Sequence, residues 1–279
     1  MSKFQGVRFD SERRKGVGQL REIRSEQSLL NRADGSAQFS FGKSCVLVGV
    51  YGPKEVPRVR DERIDRAIVR ISVDPDKGSS KRPKLKQMQE DIKGCVESVL
   101  MLHLYPSCEI SLIVQVIFDD GSALACAVNA CCLALLDAGL ALKSTFAAST
   151  CMRLTVTLED DRETTMWWID PTQQETALVS GKDSCCRGKT SADAKQDRYH
   201  KAQLSQLFSN KVKAYQASLF TFALTSEEHN KHKLLMMHCS GASFDLEAYQ
   251  SGINICSAAT KHLFSYYRLS FQQIFAIDK

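Results

Sequence analysis

Asp119-Asp120-Gly121-Ser122 joins an apolar stretch, Leu112 to Phe118, to a second one running from Ala123 to Leu136. This pattern predicts a strand, a tight acidic-glycine turn and a helix. The free N–H groups of a helix N-terminus attract anions, phosphate above all. Nucleotide enzymes reinforce such a cradle with hydroxyl and guanidinium side chains. Here Ala123, Leu124 and Ala125 stand where those groups would sit, and only Ser122 offers a side-chain oxygen. The result is a phosphate cradle without its gripping side chains.

Four further groups come into question. Asp170 and Glu175 flank Pro171-Thr172; two such acids suit general acid catalysis or a metal, and equally the capping of a turn. Arg58, Arg60 and Arg63 could line an RNA path through phosphate contacts, or form a solvated face. Lys81-Arg82-Pro83-Lys84-Leu85-Lys86 is a basic loop, open to the same two readings or to nuclear import. Cys185-Cys186 with His200 raises zinc, but adjacent cysteines rarely share one tetrahedral ion and no CxxC pair is matched by a second. No metal and no cofactor are expected.

The elements that would position these groups are ordinary ones. The 279 residues are 43% apolar and 25% charged, enough to bury a full core. The net charge of +5 fits an RNA partner without requiring one. The 11 cysteines, several of them inside apolar segments, suggest buried reduced thiols rather than a disulfide framework. The polar first residues lack a signal-peptide core, and no apolar run has the length of a membrane span. An intracellular protein without a membrane partner is the expectation.

Periodicity predicts strands over 20–30, 37–51 (turning at Gly42-Lys43), 67–73, 110–118, 145–158, 165–170, 218–224 and 234–239. Helices are expected over 87–105, 122–137 and 243–275, with a loop over 74–86. Residues 1–19 form a flexible N-terminus, and 20–279 a domain interrupted at about 177–217 by a polar, basic insertion with a helix at 199–215. Strands followed by helices in both halves argue an α+β fold and a weak internal duplication.

The residues Leu20-Arg21-Glu22-Ile23, Arg32-Ala33-Asp34-Gly35-Ser36-Ala37, Gly49-Val50-Tyr51-Gly52-Pro53, Asp120-Gly121-Ser122-Ala123-Leu124-Ala125-Cys126 and Leu135-Leu136-Asp137-Ala138-Gly139 together resemble the RNase PH superfamily, in particular its eukaryotic RNA-exosome ring members. The resemblance covers about 20–176 and 218–275. It implies an RNase PH-like (ribosomal protein S5 domain 2-like) fold of two βαβα units in one domain. Phosphorolytic members carry D-G-G-T-R-T-like residues at the helix start; the second Gly, the Thr and the Arg fall on Ser122, Ala123 and Leu124. Their acidic cluster begins at Asp170 and continues near Glu175, but no counterpart of its downstream Asp stands near Ser180. What is implied is a non-catalytic subunit of a six-membered ring with other RNase PH-like subunits, S1/KH-type cap subunits and RNA as partners, in nucleus, nucleolus and cytoplasm. Arg58, Arg60 and Arg63 are the RNA-contact candidates. An active phosphate-dependent 3′-to-5′ exoribonuclease and a stand-alone RNA-binding homodimer remain the alternatives.

Overall fold

Alternation decides the first sheet. In strand β3 (Ser44–Glu55), Val46, Val48 and Val50 are buried and Leu47 is half-buried on the opposite face. The structure, a computed structural model, describes residues 18–58, 60, 62–75, 82–158, 163–180, 212–226 and 233–277. Strand β2 (Gly35–Phe41) pairs antiparallel with β3 through the predicted turn at Gly42, whose φ of 54° suits glycine. Strand β1 (Ile23–Gln27) flanks β2, while β5 (Cys108–Phe118) lies between β3 and β4 (Ile68–Asp74), giving the order β1-β2-β3-β5-β4. The β4–β5 pair is parallel. It therefore needs a crossover, which helix α1 (Arg82–Val99) supplies.

The second sheet is antiparallel throughout and runs β7-β6-β8-β9, from β6 (Phe146–Leu158), β7 (Glu163–Ile169), β8 (Val212–Thr225) and β9 (Leu234–Gly241). Three more helices complete the described chain: α2 (Ala123–Asp137), α3 (Gln173–Ser180) and α4 (Leu246–Ile277). Helix α2 packs on β2 and β3 on one side and on β6 and β8 on the other. A helix between two sheets must be apolar all round, and Ala125 to Leu135 are all buried. Its single polar member there, Asn129, donates to the Ala148 carbonyl at 3.0 Å and accepts from the Ala148 N–H at 2.7 Å. The amide thus fastens α2 to β6 without leaving a polar atom dry.

The motif around Gly35 is also structural. A Cβ there would lie 2.4 Å from the Ala138 nitrogen, so β2 approaches the end of α2 only because no side chain intervenes. The Asp137 carboxylate accepts from the Ser36 N–H and the Ser28 hydroxyl, and Asp34 accepts from the Gly52 N–H. A third tie links α1 to β9, where the His238 Nδ1 and Asp91 carboxylate lie 2.9 Å apart.

The α+β architecture is as expected, with several boundaries changed. Helix α1 begins at Arg82, inside the segment predicted as a loop, with Pro83 in its first turn, where a missing N–H costs no bond. It ends at Val99, and a short 3-10 turn at Leu102–Leu104 replaces the rest of the expected helix. Of the segment expected as an insertion, Ala177 to Ser180 close α3 and Val212 to Ala217 open β8, while 181–211, including Cys185, Cys186 and His200, lie outside the described residues. The basic run keeps only Arg82 to Lys86 among them. Among the described residues no helix is long and apolar enough to cross a membrane, and no group of His, Cys, Asp or Glu could hold a metal ion.

Six of the described cysteines (Cys95, Cys126, Cys131, Cys132, Cys151 and Cys256) are buried free thiols. Burial pushes the Cys95 and Cys132 pKa values up to about 12 and raises those of Cys126 and Cys131 further. Cys239, expected inside an apolar strand, is exposed. Maleimide at neutral pH should therefore label Cys239 rapidly and leave those six unmodified until denaturant is added, as peptide mapping would read. Asn129→Ala should lower unfolding free energy by about 2–4 kcal/mol in urea titration, since a buried N–H and a buried carbonyl each lose their partner.

Candidate functional site

Three chain segments meet at the start of α2: residues 19–22 ahead of β1, the β5–α2 turn and the β7–α3 turn. Gly121 makes the meeting possible. Its φ is 101°, and a Cβ there would lie 2.7 Å from the Pro171 carbonyl oxygen. Asp170 holds a φ of 51°, a left-handed conformation that aspartate tolerates better than most side chains.

Arg21 fills the space between the turns. Its Nε and Nη2 donate to the two Asp170 carboxylate oxygens at 2.7 and 2.6 Å, a bidentate pair. Its Nη1 donates to Asp120 at 2.9 Å, and Nη2 also donates to the Ser122 hydroxyl at 2.6 Å. The guanidinium is 0% exposed and Asp170 2%. Burial alone would lower the Arg21 pKa, but the hydrogen bond and charge of Asp170, with the charge of Asp120, more than offset it and hold the pKa above the ordinary value. Among the described residues one cation faces two carboxylates, an excess of negative charge that disfavours a phosphate.

The neighbouring groups are committed as well. Asp120 accepts from the Gln173 N–H, and its own N–H donates to the Ser44 hydroxyl. Ser122 is buried at the N-cap of α2 but makes no side-chain bond to the helix; its oxygen serves Arg21. Ala123 and Leu124 are half-buried and have no group with which to hold an oxyanion. Glu175 accepts from the Thr172 N–H at 2.8 Å, and the Glu175 N–H approaches the Thr172 hydroxyl at 3.4 Å: a reciprocal cap on α3. Glu175 thus caps the turn. Asp170 belongs to the Arg21 pair instead.

Beside this latch lies a cavity of about 520 Å³, lined by Leu20, Ile23, Ile169, Ala259, His262 and Tyr266 among others. Its walls are largely apolar and ill suited to a phosphate. Arg58, Arg60 and Arg63 are exposed on the β3–β4 connection, next to the start of β5, where the Ser107 N–H bonds the Arg63 carbonyl. Asp120 follows the other end of β5. Eleven residues of strand separate them, roughly 30 Å. The cradle and the arginines therefore belong to opposite ends of the molecule. Of the two tryptophans, Trp168 is in the core and Trp167 packs against Phe220.

Sequence reasoning set Arg21 among the family-like residues without giving it a role. An arginine between Leu20 and Ile23, in a chain with two unexplained acids at the starts of turns, was the available signal.

The model of the RNase PH 3′ exoribonuclease family, domain 1, matches residues 19–141. The exosome complex component RRP46 homolog of Caenorhabditis elegans is 35% identical over 176 residues, 62% of this chain and 75% of that protein. The chain belongs to the RNase PH family. The Arabidopsis thaliana exosome complex exonuclease RRP46 homolog is 34% identical over 145 residues, 52% of this chain. The chain spans little more than half the length of the plant relatives, 60% of the Arabidopsis protein and 55% of the rice one. The crystal structure of rice Rrp46 superposes with a TM-score of 0.64 at 26% identity, covering 92% of this chain and 98% of the rice chain. An archaeal exosome core chain, 14% identical, shares the fold with a TM-score of 0.59 over 91% of this chain and 89% of its own. The match to the RNase PH family model contains Arg21, Asp120 and Ser122 and stops short of Asp170.

Removing one member of a buried pair leaves the other charge uncompensated. Arg21→Gln should therefore cost about 3–5 kcal/mol of unfolding free energy, and Arg21→Lys should recover only part of it, because an ammonium cannot bridge both oxygens. A raised cationic pKa contributes stability that is full below the unfolded value and is lost only as pH rises through the folded one. The stability gap between wild type and Arg21→Gln should thus stay constant from about pH 7 to about pH 10.

Proposed function

We propose that this chain is a non-catalytic RNase PH-like subunit of the RNA exosome ring, supporting 3′-to-5′ RNA processing by scaffolding and by lining the RNA path. The observation that carries this reading is the Arg21 guanidinium spent on Asp170, Asp120 and Ser122 at a helix start that offers Ala123 and Leu124 to any incoming phosphate. A phosphate there would lose a bidentate cation and a hydroxyl. That is a cost of several kcal/mol, on the order of a thousandfold or more in rate.

Its partners on this reading are other RNase PH-like subunits in a six-membered ring, S1/KH-type cap subunits and RNA, and it works in nucleus, nucleolus and cytoplasm. The exosome reading is supported by family membership, by the RRP46 names of its relatives and by the likeness to rice Rrp46, and the localisation is part of the proposal. Arg58, Arg60 and Arg63 are the RNA-facing residues. Their separation from the cradle by the length of β5 suits a chain that guides RNA past itself more than one that cleaves it.

The purified chain, incubated with single-stranded RNA and orthophosphate, is expected to release no nucleoside diphosphates. Phosphate-dependent release that co-elutes with the chain would overturn the proposal in favour of a working exoribonuclease. The Asp170→Asn variant is a poor discriminator, because losing the Arg21 pair would abolish either function through unfolding. Tagged purification followed by native mass measurement should recover the chain with other RNase PH-like subunits, and a homodimer alone would count against the ring.

A further inference from the structure

A polar cleft of about 380 Å³ opens between the segment leading into β4 and the last turns of α1, lined by Arg63, Arg66, Lys93, Gly94, Glu97 and Ser98 among others. We propose that this cleft binds the phosphodiester backbone of single-stranded RNA, extending the contact surface begun by Arg58 and Arg60. The inference rests on the RNA-facing reading above and adds a specific site to it.

Three observations converge here. First, the cations are available. Among the described residues Arg66 is held only by its neighbour Asp65 at 3.0 Å, and Lys93 only approaches Glu97 at 3.7 Å. All four side chains are around half exposed or more. Such solvent-exposed pairs are weak and exchange partners readily. With Arg63, the lining carries three positive charges against the one of Glu97.

Second, Gly94 sits in the middle of the wall. Glycine weakens a helix relative to alanine, so a helical glycine calls for a reason. Beyond its chain neighbours and the backbone of its own helix, no atom of the described residues comes within 4 Å of the position its Cβ would take. Packing within the chain does not require glycine at this position. A backbone drawing close from outside does, and sugar-phosphate is the kind of chain that approaches a bare helix surface between cations.

Third, the negative end of the α1 dipole, which would repel phosphate, is masked. The Val99 carbonyl accepts from the Lys143 N–H, the Ser98 carbonyl from the Lys143 ammonium at 3.4 Å, and the Cys95 carbonyl from the Ser98 hydroxyl at 2.7 Å. Lys143 thereby brings a further positive charge beside the cleft. The lining contains no aromatic ring to stack a base, so the contact is to the backbone and indifferent to sequence.

The test uses the full chain and a 5′-fluorescein single-stranded RNA of mixed sequence, with anisotropy titrations across a salt series. Combining Arg66→Gln with Lys93→Gln should weaken binding about tenfold and lower the slope of log K against log salt by about 1.4, at about 0.7 per phosphate contact. Gly94→Gln leaves the charge untouched and strengthens the helix, so the thermal midpoint should hold or rise while binding weakens about fivefold. Arg24→Gln, an exposed change on β1, is the control and should bind as wild type.

Normal binding by both cleft variants, with loss in Arg58→Gln combined with Arg60→Gln, would overturn the cleft and leave the RNA-facing loop standing. No binding by the wild type would overturn both. Unchanged RNA binding with reduced recovery of partner subunits would assign the cleft to a protein and overturn it likewise.

Discussion

One guanidinium organises the start of α2. Arg21 is the only cation bonded to either Asp120 or Asp170 among the described residues, and all three sit where an RNase PH-like fold directs three segments to a point. Removing such a pair from water is costly, and it is retained only where the geometry satisfies most of its hydrogen-bonding capacity. Here a bidentate pair, a second carboxylate and a serine hydroxyl do so. Gly121 and the left-handed Asp170 are consequences of that arrangement, since each lets a turn come close enough to share the cation.

The rest of the fold keeps the latch in place. Helix α2 is the common wall of both sheets, and its orientation is set by Asn129 on β6 and by Asp137 on the start of β2. Polar groups in the motifs quoted from the sequence thus mostly hold segments together. Asp34, Gly35, Ser36 and Asp137 look like site residues because their types are unusual for a core, yet each has a partner or a close approach within the chain. The same side chains that mark the family fix its scaffold, and they do so whether or not a member works on phosphate.

Much of this was legible in the chain itself. Strict alternation in β3 and the all-round apolar face of α2 are patterns that one segment reveals alone, and both elements formed as read. What failed was local chemistry with two meanings. Pro83 suggested a loop, although proline in a first turn is also a helix start. Glu175 suggested the capping of a turn, and its cap opens the short helix α3, for which no helix was predicted. Arg21 could not be assigned from sequence because its charge is balanced by residues far along the chain. The separation of Arg58, Arg60 and Arg63 from the cradle followed from strand pairing, which no local pattern discloses.

Arg21 and Asp170 stand 149 positions apart. During synthesis from the N-terminus, the first sheet and α2 are made before Asp170 leaves the ribosome, so for that interval the arginine has Asp120 but lacks its main counter-charge. The first half of the chain must therefore wait for part of the second before its N-terminal segment is secured. Contacts of such long range form late and slow the search for the native state. A nascent polypeptide of this kind spends its early life with its future centre open to chaperones, and translation speed between the two halves becomes part of how the molecule is made.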